Sequence, residues 1–329
     1  MTITTRETRQ PDAPPPAPLL ARRGTGRAGD RAFAALTTGS GLAIVALVAL
    51  VGGFLVVKAV PSLLNDQASF LTSRVWEPAG DPPRFGIAAM LWTTVLSSVV
   101  AMTLAVPVAV AVALFITQYA PARLATPVAY LVDLLAAVPS IIFGLWGIQV
   151  LAPKLGPVRD VIESAFGWFF LFAPTGTSAG NVFTASVVLA IMILPIITAI
   201  SREVFRQVPR ANVEAALALG ATRWETIRLT VLPFGRPGVI AAAMLGLGRA
   251  LGETIAVTII LSAPNSRAPF DLSVFFGGET FASKIANSAA EFDTPQKTGA
   301  YIAAGLVLFV VTFAVNAVAR LVVARRTEV

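Results

Sequence analysis

Residues 211–233 read A-N-V-E-A-A-L-A-L-G-A-T-R-W-E-T-I-R-L-T-V-L-P, a polar stretch between two long apolar segments. Ala215 to Leu219 are strong helix formers, and Gly220 follows where helices stop, because glycine takes the left-handed turn without a Cβ penalty. Thr222 and Glu225 have capping-box spacing, so a second helix is expected to open at once. In that second piece Trp224, Ile227 and Val231 recur at helical spacing, opposite Arg223 and Arg228. The stretch therefore predicts helix, glycine break, helix. Taken alone, it also suits an amphipathic hairpin resting on a membrane interface.

The rest of the chain sets the solvent around that hairpin. Of 329 residues, 56% are hydrophobic and 13% charged, and the mean hydropathy is +0.76, values that belong to an integral membrane protein. The net charge of +7 is distributed along the chain and not gathered on one helix, which argues against nucleic acid as a partner. With no cysteine and no histidine, a thiol nucleophile, a disulfide framework, a zinc site of the usual ligands and a histidine proton relay are excluded. No metal site and no catalytic residue is expected.

Residues 1–31 are rich in Pro, Arg and Thr and are expected to form a disordered basic tail. No cleavable signal peptide is expected, since the first apolar segment begins late and is long. Residues 32–86 hold a first span at about 36–60 and a polar external loop. Residues 87–323 form the core, with spans at about 87–116, 127–151, 182–200, 239–261 and 299–323 and the 211–233 hairpin between the fourth and fifth. Residues 152–181, with Phe166, Trp168, Phe169, Phe170 and Phe172, are expected to be an external interfacial helix and aromatic belt. Residues 324–329 form the C-terminal end. Sixteen Lys and Arg fall on the side of the hairpin and the termini against eight on the other, which places both termini in the cytoplasm. The expected fold is an all-α membrane protein of six transmembrane helices.

Three ionisable groups remain at membrane depth: Asp133, Arg249 and Glu253. The i,i+4 spacing of Arg249 and Glu253 is expected to put both on one face of the fifth span. Two readings stay open: an intrahelical ion pair facing the bundle, or a site in which the arginine fork grips an oxyanion while the carboxylate accepts its proton. Gly248 and Gly252, at small-xxx-small spacing, would let a helix or ligand approach. Pro139 frees a carbonyl in the third span and is expected to kink it, with Ser140 beside it as a replacement partner or a substrate contact. Asp133 is either a structural partner, for Arg249 or a backbone group, or part of a substrate path.

Glu214-Ala215-Ala216, then Gly220, then Leu232-Pro233 resemble the E-A-A loop of ABC importer permeases, with Thr230 in place of the usual Ile. R-A-L-G-E-T-I-A-V from Arg249, and A-V-P-S-I-I-F-G-L-W-G from Ala137, resemble the phosphate-importer permeases of the PstC type. The resemblance covers about residue 87 to the C-terminus. It implies a type I ABC importer permease fold in which the hairpin is a cytoplasmic coupling helix docking on an ATPase through Glu214, Ala215, Ala216, Gly220, Arg223 and Trp224. It also implies a substrate path that includes Arg249 and Glu253, with Ser140 and Asp133 as further candidates.

The partners so implied are a second related permease, two ATPase subunits that carry ATP and Mg, an external phosphate-binding protein and the lipid membrane. No P-loop occurs in this chain, so no cofactor and no enzymatic activity is expected of it. An importer of sulfate, molybdate or another oxyanion is the nearest alternative, disfavoured by Glu253, which should repel a proton-free dianion. A secondary anion transporter would need neither an ATPase nor the hairpin.

Overall fold

The computed structural model describes residues 26–175, 180–261 and 271–324. Residues 1–25 of the expected tail and 325–329 of the expected C-terminal end lie outside them. The chain divides after Val51 into two units. In the first, the described residues form the beginning of helix α1 (Gly26–Asn65), which starts within the stretch expected to be a tail.

The second unit runs from Gly52. It holds the end of α1, a two-residue antiparallel pair β1 (Trp76–Glu77) and β2 (Arg84–Phe85), and α2 (Ala88–Leu114). Next come α3 (Ala122–Ala136), α4 (Ser140–Trp146), α5 (Ala152–Phe166) and α6 (Val182–Arg206). The remainder comprises α7 (Arg210–Ala218), α8 (Arg223–Thr226), α9 (Leu232–Gly252), α10 (Ile255–Ile260), α11 (Phe281–Asn287) and α12 (Pro295–Ala324). Among the described residues six helical stretches are long and apolar enough to cross a membrane: Ala28–Asn65, Ala88–Tyr119, Ser140–Phe166, Val182–Arg206, Arg223–Gly252 and Pro295–Val318. The number of spans is the expected one, but the third and fifth have different bounds.

α6 is the centre of the bundle. Asn181 caps it by accepting from the Thr184 amide at 2.9 Å, and Val188, Leu189, Ile193 and Ile197 are wholly or almost wholly buried. In lipid, apolar surface alone gives helices no reason to associate, so close packing through small residues has to supply it. On α2, Ala101, Ala105, Ala109 and Ala113 fall on successive turns and are all buried. The Thr198 hydroxyl of α6 donates to the Ala109 carbonyl at 3.4 Å. On α9 a Cβ at Gly246 would stand 2.7 Å from Ile197, and one at Gly235 2.5 Å from Phe205. α6 is thus clasped by an alanine seam on one side and a glycine seam on the other.

At the end of the bundle that carries α11, the termini of α1 and α12 are tied together. The Ser62 hydroxyl donates to the Gln296 carbonyl at 3.0 Å, and the Gln296 amide returns a bond to the Ser62 carbonyl at 3.2 Å. The backbone amides of Val182 and Phe183 donate to the carbonyls of Phe276 and Val274, so the loop after residue 271 is laced to the start of α6. Residues 262–270 of that loop lie outside the described residues.

The third span departs from expectation for a physical reason. Pro139 cannot donate to a helical ladder and biases Val138 away from helical geometry. The result is a break and not a kink: α3 ends at Ala136, Pro139 is extended with ψ 141°, and α4 begins at Ser140. The 152–166 segment, expected to be an external interfacial helix, instead prolongs the third span as α5 through a π turn at Gly147–Leu151.

Candidate functional site: a hairpin, two broken helices and an arginine cleft

The hairpin has the form its residue types dictate. α7 ends at Ala218, and Gly220 has φ +85°. A Cβ there would meet nothing within 4 Å, so glycine is required by the dihedral angle and not by space. Thr222 and Glu225 form the full capping box: the Glu225 amide donates to the Thr222 hydroxyl oxygen at 3.3 Å, and the Thr222 amide donates to the Glu225 carboxylate at 2.8 Å. Helix α8 then runs through a π turn at Ile227–Val231 directly into α9. The hairpin's second helix is therefore the start of the fifth span.

Ile227 and Val231 are buried with Phe205 and Val208, which fixes the hairpin to the end of α6. Trp224 leaves the expected stripe and is 56% exposed. Glu214, Ala215 and Arg223 are exposed and Ala216 is half-buried. Leu217 and Leu219 are exposed as well, Leu219 to 90%. These two leucines were missed in the sequence because leucine in a helix-forming run reads as core.

The fifth span breaks as the third does. α9 ends at Gly252; Glu253 is extended, with ψ 125°, and α10 starts at Ile255. The expectation that Arg249 and Glu253 share one helical face is corrected here, since the helix stops between them, and among the described residues they form no ion pair. The Glu253 carboxylate instead accepts from the Ala256 amide at 3.2 Å, while the Thr254 hydroxyl donates to the Gly252 carbonyl at 3.2 Å. Those bonds satisfy groups that a broken helix leaves without partners.

The two breaks lie side by side. A Cβ on Gly144 would stand 2.9 Å from the Ala256 Cα, and one on Gly147 3.1 Å from Ile260. α4 and α10 therefore run parallel in contact. Extending that register back by one turn brings Ser140, the first residue of α4, level with the Glu253–Thr254 break. Helix breaks at membrane depth are tolerated where they are buried in protein or line a cavity, and paired broken helices are a recurrent way to build a substrate site.

Arg249, one turn before the end of α9, is exposed and makes no hydrogen bond or ion pair among the described residues. It lines a cleft of about 700 Å³ with Gly248, Asn316 and Arg320, between otherwise apolar walls. Beside it, Cβ atoms at Gly248 and Gly252 would both meet open space. Asp133 is not brought to Arg249. It pairs with Arg202 of α6 at 3.3 Å, and the Nε and Nη1 atoms of that guanidinium are buried without a partner. Arg202 is thus a largely buried anchor for α3. Among the described residues no cluster of metal-ligating side chains is present.

Comparison with known proteins places this geometry in a family. Residues 93–328 match the family described as binding-protein-dependent transport system inner membrane component. "Phosphate transport system permease protein PstC 2" of Mycobacterium tuberculosis is 55% identical over 298 residues, 89% of this chain and 91% of that protein. "Phosphate transport system permease protein PstC" of Mycobacterium leprae is 58% identical over 272 residues, 81% of this chain and 84% of that one. Among solved structures, the MetNI methionine ABC transporter aligns with a TM-score of 0.54 at 16% identity, covering 72% of this chain and 94% of that chain. A bacterial ABC transporter involved in import of alginate aligns with 0.53 at 20% identity, covering 73% and 79%. At such identities these structures speak for the fold alone, that of an ABC importer permease. The chain belongs to the binding-protein-dependent transport system inner membrane components and is a multi-pass membrane subunit of a transport system.

Proposed function

We propose that this chain is one permease subunit of an ATP-driven phosphate importer. The observation that carries the proposal is its likeness, over about nine-tenths of its length and at more than half of the aligned positions, to a protein named as a phosphate transport permease. The geometry supports the same reading. A guanidinium left without a partner at membrane depth calls for an anion, and its planar fork suits two oxygens of a tetrahedral one. The Glu253 oxygen not engaged by Ala256 is free to accept the proton of hydrogen phosphate. Sulfate has no such proton to give. Asp133, in contrast, is committed to Arg202, so in this reading it holds α3 and does not meet substrate.

The exposed hairpin face (Glu214, Ala215, Leu217, Leu219, Arg223, Trp224) docks on an ATPase that binds ATP and Mg, with one ATPase beneath each permease. A second related permease completes the pore, and an external phosphate-binding protein delivers the substrate. In this reading both termini and the hairpin are cytoplasmic. The reading is tested by reconstituting the chain with these partners in vesicles and following labelled phosphate. Uptake should require ATP and resist a large excess of sulfate; equal competition by sulfate or molybdate would reassign the substrate. In sealed right-side-out vesicles, cysteine at position 81 should react with an impermeant thiol reagent and cysteine at position 222 should not, and the reverse pattern would invert the topology.

A further inference from the structure

One face of α9 presents Pro237, Ile240, Ala241, Met244, Leu245, Gly248 and Arg249 to a single cleft. These positions recur at three- and four-residue intervals, so they form one continuous stripe along the helix. From Pro237 to Arg249 the stripe is about 18 Å long at the α-helical rise. α12 closes the cleft with Asn316 and Arg320, one turn apart, and α6 with Ile196. Because α9 and α12 are consecutive spans and run antiparallel, Arg320, near the end of α12, belongs to the Pro237 end of the stripe. Arg249 sits at the other. Like Arg249, Arg320 makes no hydrogen bond or ion pair among the described residues. The Asn316 amide donates to the Thr312 carbonyl at 2.9 Å, which holds that side chain on α12.

Two cations at opposite ends of a mostly apolar cleft cannot share one small tetrahedral anion across that length. Both are exposed, so each is open to an anion of its own, and the apolar wall between them offers nowhere for one to rest. We propose that Arg320, with Asn316, forms a second anion site at the hairpin end of the cleft, and that it takes a phosphate group, the tetrahedral oxyanion that a guanidinium fork grips with two of its bonds. The group has two sources, free inorganic phosphate or the headgroup of an anionic phospholipid whose acyl chain lies along Ile240, Ala241, Met244 and Leu245. The site rests on the cleft and its charges, and it does not depend on which oxyanion the transporter carries.

The absence of cysteine makes the site directly measurable. In the assembled transporter, Ala241→Cys places a small thiol on the cleft wall, and labelling is read on this chain alone. An anionic methanethiosulfonate should modify it several-fold faster than the cationic analogue, and Arg320→Gln should bring the two rates together. Arg320→Lys should keep most of the anion preference, which separates loss of charge from loss of fold. Protection of the thiol by millimolar inorganic phosphate in phosphatidylcholine vesicles, kept in Arg249→Gln and lost in Arg320→Gln, assigns the site to the free ion. Protection on adding phosphatidylglycerol without phosphate assigns it to a lipid headgroup. Absence of protection by both phosphate and phosphatidylglycerol overturns the site, whatever the rates of the two reagents. Because labelling needs no transport, a failure to carry phosphate would leave this result standing, and the converse also holds.

Discussion

The Cα of Ala256 lies only 2.9 Å from the point where a Cβ on Gly144 would stand. The neighbour is backbone, so it cannot rotate aside, and the contact sets how closely α4 and α10 approach. Gly144→Ala should therefore separate the two breaks and cost about 1–3 kcal/mol, the usual range for overpacking. Thermal unfolding of the purified protein in detergent measures this. An unchanged midpoint would show that the α4–α10 contact is looser than its backbone geometry requires.

Gly220 makes a second prediction because its constraint is of the opposite kind. Space around it is open but φ is +85°, so Gly220→Ala costs about 1–2 kcal/mol through backbone strain alone. The hairpin should reorient without loss of chain abundance, and less ATPase should co-purify. Glu214→Lys leaves the backbone intact and should give the same loss of ATPase if the exposed face is the docking surface. Normal co-purification and uptake in both variants would remove the hairpin from coupling.

Arg202 holds two buried nitrogens without partners and one ion pair, to Asp133. Asp133→Ala leaves that guanidinium wholly uncompensated. Asp133 is itself half exposed, so water softens the loss to about 1–3 kcal/mol, below the range for fully buried pairs. Removing both charges, as Asp133→Leu with Arg202→Met, should recover much of it. A double-mutant cycle on the thermal midpoint reads the coupling, and a coupling near zero would mean that α3 does not lean on this pair.

The separation of Arg249 from Glu253 changes what substitutions there should do. Had they formed an ion pair, each single charge removal would lower abundance and the double change would restore it. With Glu253 capping α10, Glu253→Gln keeps an acceptor oxygen for the Ala256 amide, so abundance should hold while discrimination between hydrogen phosphate and sulfate falls. Arg249→Lys retains the charge and loses the fork, so uptake per folded transporter should drop about tenfold or more, in line with one lost charge-assisted hydrogen bond. Full uptake in Arg249→Met, Glu253→Gln would leave neither residue a part in recognition.

How far the sequence carried depended on the range of the forces involved. The hairpin was legible almost atom by atom, because the capping box and the αL glycine are local devices whose residue types and spacing fix their geometry. The number of apolar stretches was legible from hydropathy, but the bounds of the third and fifth were not. The breaks at Pro139 and Glu253 were not. Proline leaves open whether a helix bends or stops, and Glu253 sits in a run with no helix breaker beyond Gly252. Only the contact of α4 with α10 shows why both spans are interrupted at one level. The pairing of Asp133 with Arg202, 69 residues apart, is likewise a product of the fold and leaves no trace in local spacing.

The alanine seam of α2 has a further consequence for how the bundle can change. Alanine has no rotamers to freeze on packing, so on the α2 side the fit is set by backbone shape, and only the branched α6 side chains packed in the same core can adjust. A larger side chain at Ala101, Ala105, Ala109 or Ala113 would act as a wedge under a stiff rod, opening the interface for turns on either side of it. At Pro139 and Glu253, by contrast, the helices are already interrupted, so the chain can bend there without breaking a helical hydrogen-bond ladder.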